Sequence, residues 1–275
     1  MIRTRCAPSP TGPLHLGHAY SALLAHDYGD AFLIRIEDLD QSRARPQWEN
    51  QIYNDLTWLG LSWPEPPLKQ SSRQAAYEKA LDHLWSQDLL YPCTCNRKDI
   101  AAAASAPQEG TPMGPDGIIY TGTCRHKPKP KHRPTDLPLR LDIAKAITAD
   151  LHHSELGKNA GTVTTTNHYC ITHIGDPVLQ RRDMIAYHLA VTVDDAHQDI
   201  THVTRGYDLQ DATHIHVVLQ NLLGLPTPTY LHHDLIRDDH GKRLAKRDDA
   251  KSIATYRNTG LTPEELKSKL PIWRF

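Results

Sequence analysis

The segment RCAPSPTGPLHLGH at residues 5–18 constrains the fold more than any other stretch of the chain. An apolar strand runs into a Pro/Gly loop, and the loop opens a helix whose first turn holds His15, Gly17 and His18. A strand, a tight loop and a helix N-terminus place unpaired backbone N–H groups and the positive end of the helix dipole where phosphates can lie. Gly17 lets adenine or ribose approach the backbone, and His15 and His18 share a helical face from which both can donate to phosphate oxygens. Far along the chain, GKRLAKRD places Lys242, Arg243, Lys246 and Arg247 in a Gly-led loop. Such a loop can close over a triphosphate and stabilise the charge that builds as pyrophosphate leaves. Taken singly, the first motif also reads as a helix cap with surface histidines and the second as a solvated basic turn. In this order, about 225 residues apart, they point to nucleotide chemistry.

With HLGH and RLAKR the chain resembles the class I aminoacyl-tRNA synthetases. RCAPSPTGPLHLGH, LIRIEDLD, AYHLAVTVDDAHQDITHVTRGYDL and LLGLPTPTYLHHDLI resemble the catalytic core of the glutamyl-tRNA synthetases over most of residues 1–250. Full-length members carry a helical anticodon-binding region after the signature loop. This chain stops about 28 residues after Arg247, too few for another domain. The resemblance therefore narrows to the truncated paralogues that attach glutamate to the queuosine base in the anticodon of tRNA(Asp). It implies an α/β fold: a class I synthetase Rossmann-like parallel sheet with an inserted zinc-binding subdomain and a short C-terminal helical tail. The expected divisions are 1–92 for the first half of the catalytic domain, 93–135 for the zinc subdomain, 136–250 for the rest of the insertion and the second catalytic half, and 251–275 for the tail, with no anticodon-binding domain.

At 39% hydrophobic and 23% charged residues, the 275-residue chain can bury a substantial core. No stretch reaches the apolar length of a membrane span, and MIRTRCAPSP lacks a signal core, so a cytoplasmic protein without a membrane partner is expected, acting as a monomer. A net charge near −1 does not mark a general nucleic-acid binder, so any tRNA contact requires a local basic patch.

Five cysteines in a chain without a signal argue against a disulfide framework. Cys93, Cys95 and Cys124 would supply three of the four ligands of a tetrahedral zinc site, unless they are simply small buried hydrophobes. Tyr120 and His126 both lie near enough to be the fourth ligand, and imidazole is the commoner choice. The family's zinc-binding pattern, Cys-x-Cys followed by Tyr-x3-Cys, matches CTC and YTGTC, so the resemblance implies Tyr120. Such a site leaves no open position, and the zinc is expected to be structural. Cys6 and Cys170 are not expected to be ligands.

Periodicity and punctuation predict strands at Ile2–Cys6 and Phe32–Ile36 joined by a helix from about His15 to Tyr28. Further helices are predicted within Gln47–Leu59 and from Ser72, as N-cap, to about Gln87. RHKPKPKHRP at 125–134 is too proline-broken for a helix and reads either as a phosphate contact or as a solvated linker. PLRLDI resumes a strand pattern, and residues 150–170 read as loop. By propensity YHLAVTVDDAH suits either strand or helix, and the resemblance favours helix. A strand at ITHVTRG, a helix ending at Gly224, a strand at TYLHHDLI and a last helix capped by Thr262-Pro263-Glu264-Glu265 complete the layout.

Holding glutamate requires cations for two carboxylates and an anion for its ammonium group. Arg5, Glu37 and Arg205 fall at the carboxyl ends of predicted strands, where ligands bind in open parallel sheets, although each alone could be an ordinary salt bridge. The resemblance implies a glutamate pocket of Arg5, Ala7, Ser9, Glu37, Tyr187 and Arg205. It implies an ATP site of Pro8, Gly17, Arg243, Lys246 and Arg247, with His15, His18 and Lys246 catalytic and Mg²⁺ accompanying ATP. Asp194 and Asp195 either order the pocket or the acceptor, or cap a helix end in solvent. Ala245 stands where a small hydroxyl residue is usual and Arg243 where lysine is usual, which predicts slower chemistry than in relatives. Alternative functions are a shortened glutamyl-tRNA synthetase charging a tRNA 3′ end, a nucleotidylyltransferase, and a noncatalytic tRNA-binding paralogue.

Overall fold

The computed structural model describes residues 1–104, 113–237 and 251–272. Strand β1 (Arg3–Cys6) runs into the Pro/Gly loop and helix α1 (Leu16–Tyr28), and the chain returns through β2 (Ala31–Ile36), parallel to β1. Thr4 lies under this turn, its hydroxyl donating to the Ala25 carbonyl at 2.7 Å. Helix α2 (Pro46–Trp58) starts with proline in its first turn, where no N–H is needed, and leads to the short β3 (Leu68–Lys69) beside β2. In helix α3 (Gln74–Ser86) the N-cap position falls to Arg73, not Ser72, and carries no side-chain capping bond. Ser72 sits in a preceding 3₁₀ turn, its hydroxyl donating to Lys69 O. A capping residue read from the sequence was thus absorbed by local turn bonding.

The insertion begins with β4 (Leu90–Pro92), α4 (Arg97–Ala104) and a small hairpin of β5 (Met113–Gly114) and β6 (Gly117–Ile118). Strand β7 (Leu139–Leu141) pairs antiparallel with β4, and Asp142 caps the short α5 (Ile143–Ala146). Residues 150–170, expected to be loop, instead form β8 (Leu151–Leu156), β9 (Gly161–Thr165) and α6 (Asn167–Tyr169), followed by a π turn. The Thr-rich β9 pairs antiparallel with β8. His153 and Glu155 are inward-facing members of β8, so the polar sequence concealed a half-buried strand. Strand β10 (Val178–Gln180) then joins β7, and α7 (Tyr187–His197) is the helix that the resemblance favoured.

Strand β11 (His202–Gly206), helix α8 (Ala212–Leu222) and strand β12 (Thr229–His233) complete the second parallel unit, with β12 also parallel to β8. The two parallel sheets meet where Thr201 N donates to Arg3 O at 3.0 Å, setting β1 beside β11. One core packs α1, β2 and α2 together, and a second packs α3, β4, β7, α7 and α8. The last helices, α9 (Ile253–Asn258) and α10 (Pro263–Lys267), bury Ile253, Leu266 and Leu270 in the first core, and the predicted capping box at Thr262 is present. The signature residues Lys242, Arg243, Ala245, Lys246 and Arg247 lie outside the described residues.

The basic run 125–134 is not helical; three of its cations are held in ion pairs, while Lys127 and Lys131 are exposed. Arg125 binds Asp176 at 2.7 Å, Lys129 binds Asp88 at 2.5 Å, and Arg133 holds both Glu78 and Asp82. Those pairs clamp the insertion onto α3 and the strands behind it.

Candidate active site

The carboxyl ends of β1, β2 and β11 and the start of α1 surround a cavity of about 570 Å³. Arg5, Ala7, Pro8, Ser9, His15, Gly17, His18, Glu37, Tyr187 and Arg205 all line it, so every candidate ATP and glutamate residue among the described residues converges on one space. Ser21, Thr204, Asp208, His233 and Leu235 also line it and were not anticipated. The His232–His233 pair at the end of a predicted strand was their one legible signal.

Backbone bonds set this geometry. Glu37 N donates to Pro8 O at 3.1 Å, tying the first loop to the end of β2. His15 caps α1: its Nδ1 accepts Gly17 N–H at 3.1 Å, while His18 Nδ1 accepts His15 N–H at 3.1 Å. In a neutral ring one nitrogen carries the proton, so the capping bonds assign it to Nε2 in both histidines. The helix cap is therefore present, and it puts the ring protons on the nitrogens that the phosphate-donor reading would use. Gly17 is needed for it, because a Cβ there would stand 3.0 Å from the His15 ring. Past the undescribed segment, Ser252 bridges to His15 and Ile253 N donates to Leu14 O at 2.8 Å. Ile236, just before that segment, lines the cavity, so described chain on both sides of the signature residues flanks the site.

The cations differ in how they are held. Arg5 Nε donates to Asp195 at 2.9 Å, and Asp195 also takes the wholly buried Arg35 at 2.6 Å. Burial opposes the charge of Asp195, but Arg5 and Arg35 more than offset it and hold the carboxyl below its usual range. Burial raises Glu37 above the usual carboxylate range even though Arg35 and Arg5 oppose the shift. Asp194 is also buried and accepts from Tyr77, Gln70 and Arg73 at 2.6, 3.0 and 3.1 Å. Asp195 therefore anchors a cavity-lining arginine, whereas Asp194 ties its helix to Gln70, Arg73 and Tyr77; neither is a solvated cap. Arg205 donates to His232 and His216, each at 3.1 Å, and to Thr213 at 2.6 Å. These partners are neutral acceptors, leaving its positive charge directed at whatever enters the cavity.

Apart from this cavity, Cys93, Cys95 and Cys124 bring their sulfurs within 4.8 Å of one another. The Tyr120 hydroxyl lies 3.5 Å from Cys93 Sγ and 3.4 Å from Cys95 Sγ, whereas His126 is exposed. Burial works to raise the Cys124 thiol, but hydrogen bonds from Tyr120, Thr94 and Cys95 bring it down to about 6. Burial pushes Cys6 and Cys170 up to about 12, as suits thiols with no ligand role. Gly175, at φ +71°, lets the chain pass against Tyr120, where a Cβ would meet the Tyr120 backbone N at 3.0 Å.

A parallel sheet split by an insertion, with a histidine-capped helix facing its carboxyl edge, defines a class I synthetase catalytic core. The family model described as tRNA synthetases class I (E and Q), catalytic domain, matches residues 1–272. A glutamyl-Q tRNA(Asp) synthetase from Rhodobacter capsulatus is 54% identical over 96% of this chain and 98% of its own length. A glutamate-tRNA synthetase from Elizabethkingia anophelis superposes with a TM-score of 0.74 at 25% identity, covering 96% of this chain. A glutamate tRNA ligase from Elizabethkingia meningosepticum, in complex with its amino acid, does so with a TM-score of 0.72 at 27% identity. The chain spans 59% of the length of each of these two structures. It belongs to the class I tRNA synthetase family of the E and Q type and is a ligase of that family, grouping there with the glutamyl-Q tRNA(Asp) synthetases. No helix among the described residues is long and apolar enough to cross a membrane.

Proposed function

We propose that the protein activates L-glutamate with ATP to glutamyl-adenylate and passes the glutamyl group to the queuosine base in the anticodon of tRNA(Asp). The observation that carries this reading is the one cavity that Arg5, Glu37, Tyr187 and Arg205 line together with His15, Gly17 and His18. It matches the two halves of the reaction, one face for a dicarboxylic amino acid and one for a nucleotide.

In the first step an α-carboxylate oxygen of glutamate attacks the α-phosphorus of ATP in line, and the bond to the β-phosphate oxygen breaks, releasing pyrophosphate. Glu37 receives the ammonium group, while Arg205 and Arg5 hold the carboxylates that must stay still during attack. The Nε2–H groups of His15 and His18, together with Lys246, Arg243 and Arg247, stabilise charge on the phosphates, and Mg²⁺ enters with ATP. Ala7, Pro8, Ser9 and Tyr187 shape the walls. In the second step a hydroxyl of the queuosine cyclopentene ring attacks the mixed-anhydride carbonyl. AMP leaves and the hydroxyl proton is lost to the phosphate or to water. No covalent enzyme intermediate is needed.

Cys93, Cys95, Cys124 and Tyr120 fit a structural zinc: three sulfurs within 4.8 Å of one another suit tetrahedral coordination, and the Tyr120 hydroxyl, 3.5 and 3.4 Å from Cys93 and Cys95 Sγ, would supply the fourth ligand. Residues 93–135 are then the zinc subdomain, inserted between catalytic halves at 1–92 and 136–250, with 251–275 as the tail. The same reading has the protein act in the cytoplasm as a monomer.

The test uses labelled glutamate, ATP and tRNA pools with and without queuosine, followed by enzymatic removal of the tRNA 3′ terminus. Label that requires queuosine and survives trimming supports the proposal. Label lost with the 3′ end would identify a shortened aminoacyl-tRNA synthetase, and absence of glutamate-dependent pyrophosphate exchange a noncatalytic paralogue.

A further inference from the structure

We infer that Asp116, at the tip of the β5–β6 hairpin in the insertion, is a positioning residue for Arg205, acting through the buried imidazoles of His188 and His216. This inference deepens the proposed function and rests on its reading of Arg205 as a carboxylate-binding residue.

The contacts form an unbroken line. Arg205 Nη1 lies 3.1 Å from His216 Nδ1, His216 Nε2 lies 3.0 Å from His188 Nδ1, and His188 Nε2 lies 2.8 Å from Asp116 Oδ1. His216 is 2% exposed and His188 6%, so water does not substitute along the middle of the line. A guanidinium only donates and a carboxylate only accepts, so the two ends permit one arrangement of protons in the neutral rings between them. His216 accepts at Nδ1 and donates from Nε2. His188 does the same, delivering its proton to Asp116. Burial, then the Arg205 charge, holds His216 well below its ordinary value, so it keeps the neutral form that this arrangement requires.

A second line supports Arg205 from the other side by the same logic. Arg205 Nε donates to His232 Nε2 at 3.1 Å, and His232 Nδ1 donates to the buried Glu155 at 2.8 Å. The guanidinium is thus gripped by two imidazoles whose tautomers are set by carboxylates one and two residues further out. Each carboxylate fixes orientation without touching Arg205, so the positive charge is aimed but not neutralised.

Without Asp116, His188 has no anion to hold its proton on Nε2. If His188 carries the proton on Nδ1 instead, His216 must accept at Nε2 and present Nδ1–H to Arg205. Donor then faces donor, and the guanidinium swings out of register with the substrate carboxylate. The hairpin carrying Asp116 lies four residues before Tyr120, so the thiol cluster and the glutamate pocket are mechanically joined through this line.

The test measures glutamate-dependent ATP–pyrophosphate exchange in the full chain, with KM for glutamate and for ATP determined separately in Asp116→Ala, Asp116→Asn and Arg205→Ala. Asp116→Ala should raise the glutamate KM about tenfold with the ATP KM unchanged. Asp116→Asn, whose amide oxygen still accepts from His188, should return it to within about threefold of the parent. Equal effects of the two variants, or a parallel rise in both KM values, would overturn the inference. ¹⁵N spectra of His188 and His216 give a readout independent of activity. The parent should show Nε2–H in both rings, and Asp116→Ala a mixture; a sharp Nε2–H form in Asp116→Ala would also overturn it. If Arg205→Ala leaves the glutamate KM unchanged, the pocket assignment fails, whatever the ring spectra show.

Discussion

Arg5 Nε and Asp195 Oδ1 lie 2.9 Å apart, joining the first strand of the fold to a helix 190 residues later. The same carboxylate accepts Arg35, which is fully buried, so one anion neutralises the inner charge of two cations drawn from the adjacent strands β1 and β2. The pocket and the core are therefore one structure here. The side chain that holds Arg5 at the cavity also allows Arg35 to exist without water.

Replacing Asp195 with alanine should accordingly be severe. It leaves two buried guanidinium groups with Glu37 as their nearest remaining anion, and breaking a buried pair from one side costs about 3–5 kcal/mol. Urea unfolding should show that loss. A variant as stable as the parent would mean that the two arginines find other partners or solvent.

The capping histidines allow cap and chemistry to be separated. Asparagine places an acceptor where His18 Nδ1 stands but has no counterpart of Nε2–H. His18→Asn should therefore retain the helix cap and fold stability, while His18→Ala should lose about 1 kcal/mol. Both should lower the rate of adenylate formation by about a hundredfold or more, as expected when a donor to developing charge is removed. Should His18→Asn form adenylate at the parental rate, His18 would be a cap and nothing else.

How much of this was legible in the sequence depended on whether a signal was local. The β1–loop–α1 unit, the strands ending at Glu37 and Arg205, and the Thr262 cap each declare themselves within a few residues, and the structure matches them. The β8–β9 hairpin did not, because His152, His153, Ser154 and Thr162 disguise a strand whose inward side chains are polar. The partners of Arg205 were equally hidden. His216 lies in an apolar helix, His188 in another and Asp116 in a hairpin turn, and only the fold brings them into one line. Arg35, inside an apolar strand, gave no hint that it shares Asp195 with Arg5.

Removing a thiol tests the insertion. Cys93→Ser should abolish tight zinc binding, measured by metal content after dialysis against a chelator. Through the hairpin that carries Asp116 it should also raise the glutamate KM about as much as Asp116→Ala does, leaving the ATP KM unaffected. Combining the two substitutions should add little, since both act on one line of contacts. Full additivity would show that the cluster and Asp116 act independently.

Stability should fall with acidification in a window set by His153. Its ring lies on β8 against Tyr230 and His214, its Nδ1 is buried without a hydrogen-bond partner among the described residues, and burial, then the neighbouring His214, lowers it from 6.5 to about 4. Above pH 6.5 the ring is neutral in both folded and unfolded chains and contributes no pH dependence. Between pH 6.5 and 4 the unfolded chain takes up a proton that the folded one refuses, so stability declines as pH falls, by about 3 kcal/mol over the whole window. Below about pH 4 both states are protonated and this contribution levels off. Burial lowers His214, His216 and His233 as well, steepening the decline in the same direction. His153→Phe keeps an aromatic ring against Tyr230 without a titrating nitrogen, so its unfolding free energy should fall less between pH 7 and 5 than the parent's. Denaturant melts at those two pH values measure the difference, and identical slopes in the two proteins would show that His153 titrates normally in the fold.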